Sequence, residues 1–397
     1  MSSDGKILAV SAGQMGNNGP GYVTMYKWNE TLLDYEPFGE TLTGDAAGDG
    51  FGYSSSVSED AQTLVIGAPF HDMNGENSGH VKVYMWNETA LSYNQVGDTL
   101  YGTNKGDTFG EVVATSADGK TVVVSSTGGD ANGEDSGQVT LYKWDENASN
   151  YEQVDTLLGD AAGDSFGYSI SLSSNGKTLA VGSPFKDVQT NDLPSGSTKG
   201  QVKLFVWDDE SLNYRPAATL SAEKTHQFGW SVSLSEDSSR LAVGLIDLGG
   251  TSSFNDENVD TAGKVVVYEL NLNEELMQYK QLGELVGDFN KDDFGASVFL
   301  DADGKTLVVG APKDDKNGIQ SGSAKVFEWD EATLSYTQLY DSAVYGEAPD
   351  NYFGGPVSIA RDGKRFAVGA VGNDKNGPYS GQLQVFNIPS EDEESGN

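Results

Sequence analysis

The chain has no cysteine among its 397 residues, so neither a disulfide framework nor a thiolate nucleophile can be built from it. Cationic side chains are scarce as well: 24 Lys and Arg stand against 60 Asp and Glu, a formal net charge of −36. A field of that sign repels phosphate backbones and anionic lipid, which argues against nucleic-acid binding and against electrostatic attachment to a membrane. No apolar run approaches the roughly 20 residues of a transmembrane helix. Three histidines are scattered along the chain, His71, His80 and His226. No His-Glu-x-x-His, P-loop or G-x-S-x-G pattern occurs, which removes the common metalloprotease, nucleotidase and serine-hydrolase signatures. Helical periodicity of useful length is also missing, so an α-solenoid is excluded.

What the chain does have is a unit of about sixty residues repeated from end to end. Its fixed point is a Phe-Gly pair, at Phe51-Gly52, Phe109-Gly110, Phe166-Gly167, Phe228-Gly229, Phe294-Gly295 and Phe353-Gly354. Within the unit at 287–345, Phe294 to Leu300 reads as strand A, Asp303-Gly304 as a tight hairpin turn, and Thr306 to Val309 as strand B. Gly310-Ala311-Pro312 ends strand B, Ala324 to Trp329 is strand C, and strand D begins near Tyr336. An aromatic recurs in strand C at Tyr26, Tyr84, Tyr142, Phe205, Tyr268, Phe327 and Phe386, with Trp28, Trp86, Trp144, Trp207 and Trp329 two residues after five of these. Spacing of two puts both on one face of a sheet, where they serve core packing. Seven copies of strand C predict an all-β, seven-bladed β-propeller of four-stranded antiparallel blades.

Where Phe294-Gly295 is followed by Gly310-Ala311-Pro312, and again at Gly67-Ala68-Pro69 and Gly182-Ser183-Pro184, the unit resembles the FG-GAP repeat of integrin-α-like β-propellers. The resemblance covers nearly the whole chain. It implies a propeller fold and suggests adhesion. Calcium-binding members place an Asp-x-Asp-x-Asp-Gly type loop between strands A and B, whereas here that link is a short turn such as Asp118-Gly119 or Asp303-Gly304. Calcium ligation of that type is therefore not carried over.

The propeller is expected over 1–389, with blades near 1–43, 44–101, 102–158, 159–220, 221–286, 287–345 and 346–389, and a disordered acidic tail at 390–397. Met1 opens inside a unit, so blade 1 lacks strand A. Blade 7 lacks the strand D tyrosine found at Tyr35, Tyr93, Tyr151, Tyr214, Tyr279 and Tyr336. The repeat arithmetic leads us to expect roughly 25 to 30 further residues ahead of Met1, supplying both strands and carrying any signal peptide. Sequons at Asn29, Asn87 and Asn147, in the C–D turns of three successive repeats, point to a secreted or cell-surface glycoprotein.

Antiparallel topology sends the A–B and C–D turns to one end of each blade and the B–C and D–A loops to the other. The D–A loops carry Asp45 and Asp49, Asp107, Asp160 and Asp164, and Asp288 and Asp292; the B–C loops carry Asp72 and Asn74, and Asp130 and Asn132. These are candidate Ca²⁺ ligands, because a hard cation takes carboxylate and carbonyl oxygens. The same residues also suit Asx-turns that close the loops onto their own amides. Blade 5 departs from the consensus with Lys224, His226 and Trp230 beside long loops that include Asp247 and Asp256, either a ligand notch or a drifted repeat.

Because almost every acidic residue belongs to the repeat, and a catalytic pair should break its symmetry, the leading expectation is a non-enzymatic extracellular binding or adhesion module. It would be a monomeric propeller that meets a protein or glycan ligand, with Ca²⁺ as an assisting ion. The alternatives are a polysaccharide hydrolase or lyase acting through carboxylates at a channel mouth, and a structural repeat domain of a larger secreted protein.

Overall fold

Each repeat folds as one antiparallel sheet whose strands pair in chain order. In blade 3 these are strands A (Val113–Thr115), B (Thr121–Ser126), C (Gln138–Asp145) and D (Asn150–Leu158). Seven such sheets, with no helix among the described residues, make the protein a seven-bladed β-propeller. The computed structural model describes residues 1–14, 19–186, 199–222, 227–246, 262–272, 277–339, 343–377 and 380–388. The chain divides into two compact units, 1–186 with 203–217, and 187–202 with 218–397.

Among the described residues, blades 1 and 7 are each a strand short. Blade 1 has strand B (Ile7–Ala12), strand C (Tyr22–Asn29) and a strand D split into Asp34–Pro37 and Leu42–Thr43. Blade 7 has strand A (Phe353–Ile359), strand B (Arg365–Ala370) and strand C (Gln382–Asn387), with no strand D among the described residues. Strand D is also split in blades 2 and 6, but continuous in blades 3, 4 and 5.

Strand B lies at the centre of the packing in blades 2, 3, 4 and 6. In Thr63–Ala68, Thr121–Ser126, Thr178–Ser183 and Thr306–Ala311 every residue is buried. That explains why these strands read as unbroken β-branched and small runs instead of alternating ones. In the first unit Val65, Val81 and Val83 of blade 2 share a core cluster with Val122, Val124 and Tyr142 of blade 3. In the second, Val308 and Val326 of blade 6 pack with Phe366 and Val368 of blade 7. Each such side chain, fully withdrawn from water, contributes about 1.5–3 kcal/mol before chain entropy is counted.

The Phe-Gly and Gly-Ala-Pro elements form the two sides of one contact. Phe109 is buried and meets Tyr142 of strand C edge-on, with ring centroids 6.3 Å apart. Phe51, Phe166, Phe228, Phe294 and Phe353 do the same with Tyr84, Phe205, Tyr268, Phe327 and Phe386. Gly110 has φ of +97°, and a Cβ there would stand 2.8 Å from the carbonyl oxygen of His80 and 3.0 Å from Val81 Cγ2. Its own carbonyl accepts from Ser54 Oγ of blade 2 at 2.8 Å. It also lies against Gly67 of the same blade, where any Cβ would overlap it. Only glycine on both sides lets the two backbones meet this closely. Ser231, Gly244 and Gly295 repeat the arrangement between blades 5 and 6.

Three details differ from the sequence expectation. Strand A of blade 6 begins at Ser297, not Phe294, so that Phe294 and Gly295, the latter at positive φ, precede the regular ladder. The A–B hairpins are longer than a two-residue turn: Ser116 donates to Thr121 across four intervening residues, and the glycine but not the aspartate adopts positive φ. The sequons are not in one register, since Asn29 and Asn87 end strand C whereas Asn147 lies two residues beyond the end at Asp145.

Candidate functional site

The B–C and D–A loops come together at one end of each blade, and their polar groups fall into three sets. The first aspartate of the D–A loop meets a lysine on strand C. Asp45 pairs with Lys82 at 2.7 Å, Asp160 with Lys203, and Asp288 with Lys325 at 2.7 Å. The hydrogen bond from Lys82 holds the Asp45 carboxyl below the usual carboxylate range. Burial works against ionisation of Asp160, but its two lysines outweigh it and lower the group.

The second D–A aspartate is buried, and its partner differs from blade to blade. Asp107 Oδ2 accepts from the backbone N–H of Asn104 at 3.0 Å and from the Asn104 side chain at 3.1 Å. Asp164 Oδ2 accepts from Ala161 N–H at 3.0 Å and from Lys186 Nζ at 2.6 Å. Asp292 is pushed up to about 7, first by burial and then by Asp314, Asp315 and Asp288. Burial likewise raises Asp49, whose Oδ2 has no hydrogen-bond partner and lies 4.0 Å from Nε2 of His71.

The B–C loop residues close their own turns. Asp72 accepts from Asn77 N–H at 2.8 Å and Asp130 from Asp135 N–H at 2.9 Å. Asn74 and Asn132 donate to the carbonyl oxygens of Gly102 and Gly159 in the following D–A loop, at 2.8 and 2.7 Å. Asp72, Asn74, Asp130 and Asn132 are thus engaged as Asx-turn and loop-bridging groups.

Blade 2 breaks this pattern. His71, in its B–C loop, accepts from Met73 N–H through Nδ1 at 3.2 Å. His80, the first residue of strand C (His80–Asn87), is fully buried, and neither ring nitrogen has a hydrogen-bond partner. The two rings meet edge-to-face with centroids 4.3 Å apart. Burial, then His71 and Lys82, push the His80 pKa down to about 3, so its imidazole is neutral. One ligand atom from each of Asp45, His71 and His80 lies within 4.8 Å of the others, the one such grouping of three His, Cys, Asp or Glu side chains among the described residues.

Sequence reasoning had marked Asp45 and Asp49 but passed over both histidines. The usable signal was that two of the chain's three histidines sit nine residues apart in one repeat, at registers where no other blade has one. Of the blade 5 candidates, Trp230 is half-buried on strand A (Gln227–Leu234), while Lys224, His226, Asp247 and Asp256 lie outside the described residues. Among the sequon asparagines, Asn87 and Asn147 are exposed, whereas the Asn29 side chain donates to Glu36 at 2.8 Å.

The protein is a β-propeller carrying FG-GAP repeats. The FG-GAP repeat family matches it at residues 42–84 and 289–327, each spanning the Phe-Gly pair and strand B and reaching into strand C. No curated protein matches the chain in sequence. Among solved structures, hydrazine synthase from Kuenenia stuttgartiensis superposes with a TM-score of 0.61 at 14% identity, over 98% of this chain and 95% of that one. A Bacteroides uniformis protein provisionally described as a 6-phosphogluconolactonase gives 0.61 at 13% identity, over 97% and 93%. The periplasmic gluconolactonase of Pseudomonas aeruginosa gives 0.57 at 14% identity, over 96% and 100%. At these identities the likeness is one of fold.

Proposed function

We propose that the protein is a non-enzymatic binding module, secreted or displayed at the cell surface, whose B–C and D–A loops present an acidic face to a protein or glycan ligand. The observation that carries this reading is the repetition of that end of the blade. The same Asx-turn and Asn-to-carbonyl bridge recurs in blades 2, 3 and 6, through Asn74, Asn132 and Asn317. It holds exposed carboxylates such as Asp72, Asp130 and Asp315 on rigid loops, with the exposed apolar tips Met73 and Ile319 beside them. A pre-organised, repeated surface suits multivalent contact, because little ordering entropy is lost on binding.

Calcium assistance is the part of this reading that the carboxylate geometry supports least, since most candidate ligands already bond to lysines or to their own turns. Secretion would appear as N-glycans on Asn87 and Asn147 in preference to Asn29. The lactonase neighbours lend no activity to this chain.

The test is binding of the full chain to a glycan array and to immobilised extracellular proteins, with Asp72→Asn/Asp130→Asn as the comparison. Saturable binding that weakens with salt and in the double variant supports the reading. Turnover of gluconolactone or of a polysaccharide, with no saturable binding, would overturn it.

A further inference from the structure

We propose that blade 2 holds a site for a first-row divalent transition metal, Zn²⁺ above all, ligated by Asp45, His71 and His80. It shares Asp45 with the calcium expectation but adds two histidines and takes a different ion, and it stands or falls separately from the adhesion reading.

The first argument is an unmet need. His80 is fully buried with both ring nitrogens unpartnered, and Asp49 Oδ2, 4.0 Å from Nε2 of His71, has no hydrogen-bond partner either. Buried polar groups normally find partners, and where several orphans face one another a missing ion is the economical explanation. His71 stops 4.0 Å from Asp49 Oδ2, too far for a hydrogen bond. At the same place in blade 4, Lys186 closes onto Asp164 at 2.6 Å. Blade 2 has exchanged a lysine that fills the space for an imidazole that leaves it open.

The second argument is chemical. Neutral imidazoles with a carboxylate suit Zn²⁺, Ni²⁺ or Cu²⁺, whereas Ca²⁺ takes six to eight oxygens. Zinc bonds of about 2.0–2.2 Å set tetrahedral ligand atoms roughly 3.3–3.5 Å apart. The three ligand atoms, now within 4.8 Å of one another, would have to draw together by roughly 1.5 Å at most. The cation would replace Lys82 as the main partner of Asp45. His71 would bind through Nε2, moving its ring proton to Nδ1 and giving up the 3.2 Å bond from Met73, whose side chain is exposed. Asp49 Oδ2, 4.0 Å from Nε2 of His71, lies outside this grouping and is not counted among the ligands.

The third is symmetry. Lys203 and Lys325 pair with Asp160 and Asp288 as Lys82 does with Asp45, so that pair belongs to the repeat. The histidines do not. Blades 3, 4 and 7 have Gln138, Gln201 and Gln382 where His80 stands, and blade 7 has Asn373 where His71 stands.

Those registers supply test substitutions that the fold already tolerates. The full chain, stripped with chelator, is titrated calorimetrically with ZnCl₂ and separately with CaCl₂, alongside His80→Gln, His71→Asn and the double variant. All keep every carboxylate, so diffuse zinc binding to the acidic surface is held constant. We expect one tight zinc per wild-type chain, lost in each variant by more than the roughly 10- to 100-fold that an outer-shell partner costs. Lys82→Thr, taking the residue of blade 3, should bind zinc more tightly. Co²⁺ should give visible d–d absorption in the wild type that the double variant lacks. Zinc binding of equal stoichiometry and affinity in the double variant, or none at micromolar metal in the wild type, overturns the site. Should His80→Gln fail to fold, the His71→Asn titration and the cobalt spectrum decide alone.

Discussion

The hydroxyl of Tyr151 on strand D of blade 3 donates to the carbonyl oxygen of Gly119, in the A–B turn of the same blade, at 2.6 Å. It ties the outermost strand to the hairpin that joins the two innermost ones. Trp144 lies edge-on against the tyrosine ring at 5.0 Å. The bond recurs from Tyr35 to Gly5, Tyr93 to Ala61, Tyr214 to Gly176 and Tyr336 to Gly304. Removing the hydroxyl in Tyr151→Phe leaves a buried acceptor unsatisfied and should cost about 1 kcal/mol in urea unfolding. Tyr279 of blade 5 is half-exposed, and Tyr279→Phe should cost little. Equal losses would mean that the bond to the A–B turn is not what the Tyr151 hydroxyl contributes.

The Phe-Gly and Gly-Ala-Pro contact predicts a ranking among glycines. Gly67→Ala places a methyl group into the Gly110 carbonyl, and the backbones must separate. Gly106→Ala has open space but φ of +83°. The second should cost about 1–2 kcal/mol, the ordinary penalty of left-handed backbone for an L-residue. The first should cost clearly more, read as the larger drop in urea midpoint. A reversed order would show that strain, not close approach, makes these positions glycine.

Blade 6 carries a pH-sensitive variation on the A–B turn. In blades 2 and 3 a serine hydroxyl, Ser58 or Ser116, donates to the aspartate two residues on and accepts from the amide five residues on. Asp301 takes the serine's place and accepts from Thr306 N–H at 3.0 Å. Burial, opposed by Thr306 and reinforced by Asp303, pushes its pKa up to about 6. The folded state therefore binds this proton more tightly than the unfolded state, so stability falls as pH rises from about 4 through 6. Asp301→Ser should be more stable than the parent by about 1–3 kcal/mol at pH 8. The gain should shrink through pH 6 and vanish near pH 4. A gain independent of pH would point to packing instead.

Much of the fold was legible because its signals are local. Period-two aromatics such as Tyr142 and Trp144 mark strand C without knowledge of the partner strand, and Asp-Gly and Gly-Ala-Pro mark the start and end of strand B. The site was less legible because its pairs are set by loop return. Asp45 meets Lys82 across 37 residues. His71 meets His80 only because the B–C loop doubles back onto the start of strand C. The carboxylates drew attention by their number, whereas the two histidines mattered by their rarity.

The two roles considered for the B–C loops give opposite predictions at adjacent positions of blade 3. Asn132 donates through Nδ2 to the Gly159 carbonyl at 2.7 Å, so Asn132→Asp sets a carboxylate against a carbonyl oxygen. Asp130 only accepts, from Asp135 N–H at 2.9 Å, and an amide oxygen can accept in its place. If these residues are turn-formers, Asn132→Asp should lose about 1 kcal/mol and Asp130→Asn should be nearly neutral. If they ligate Ca²⁺, the added carboxylate of Asn132→Asp should strengthen binding and Asp130→Asn should abolish it. Thermal unfolding of both variants with millimolar Ca²⁺, Mg²⁺ or chelator separates the two. From the geometry we expect Asn132→Asp to melt lowest in all three conditions, and Asp130→Asn to follow the parent in each.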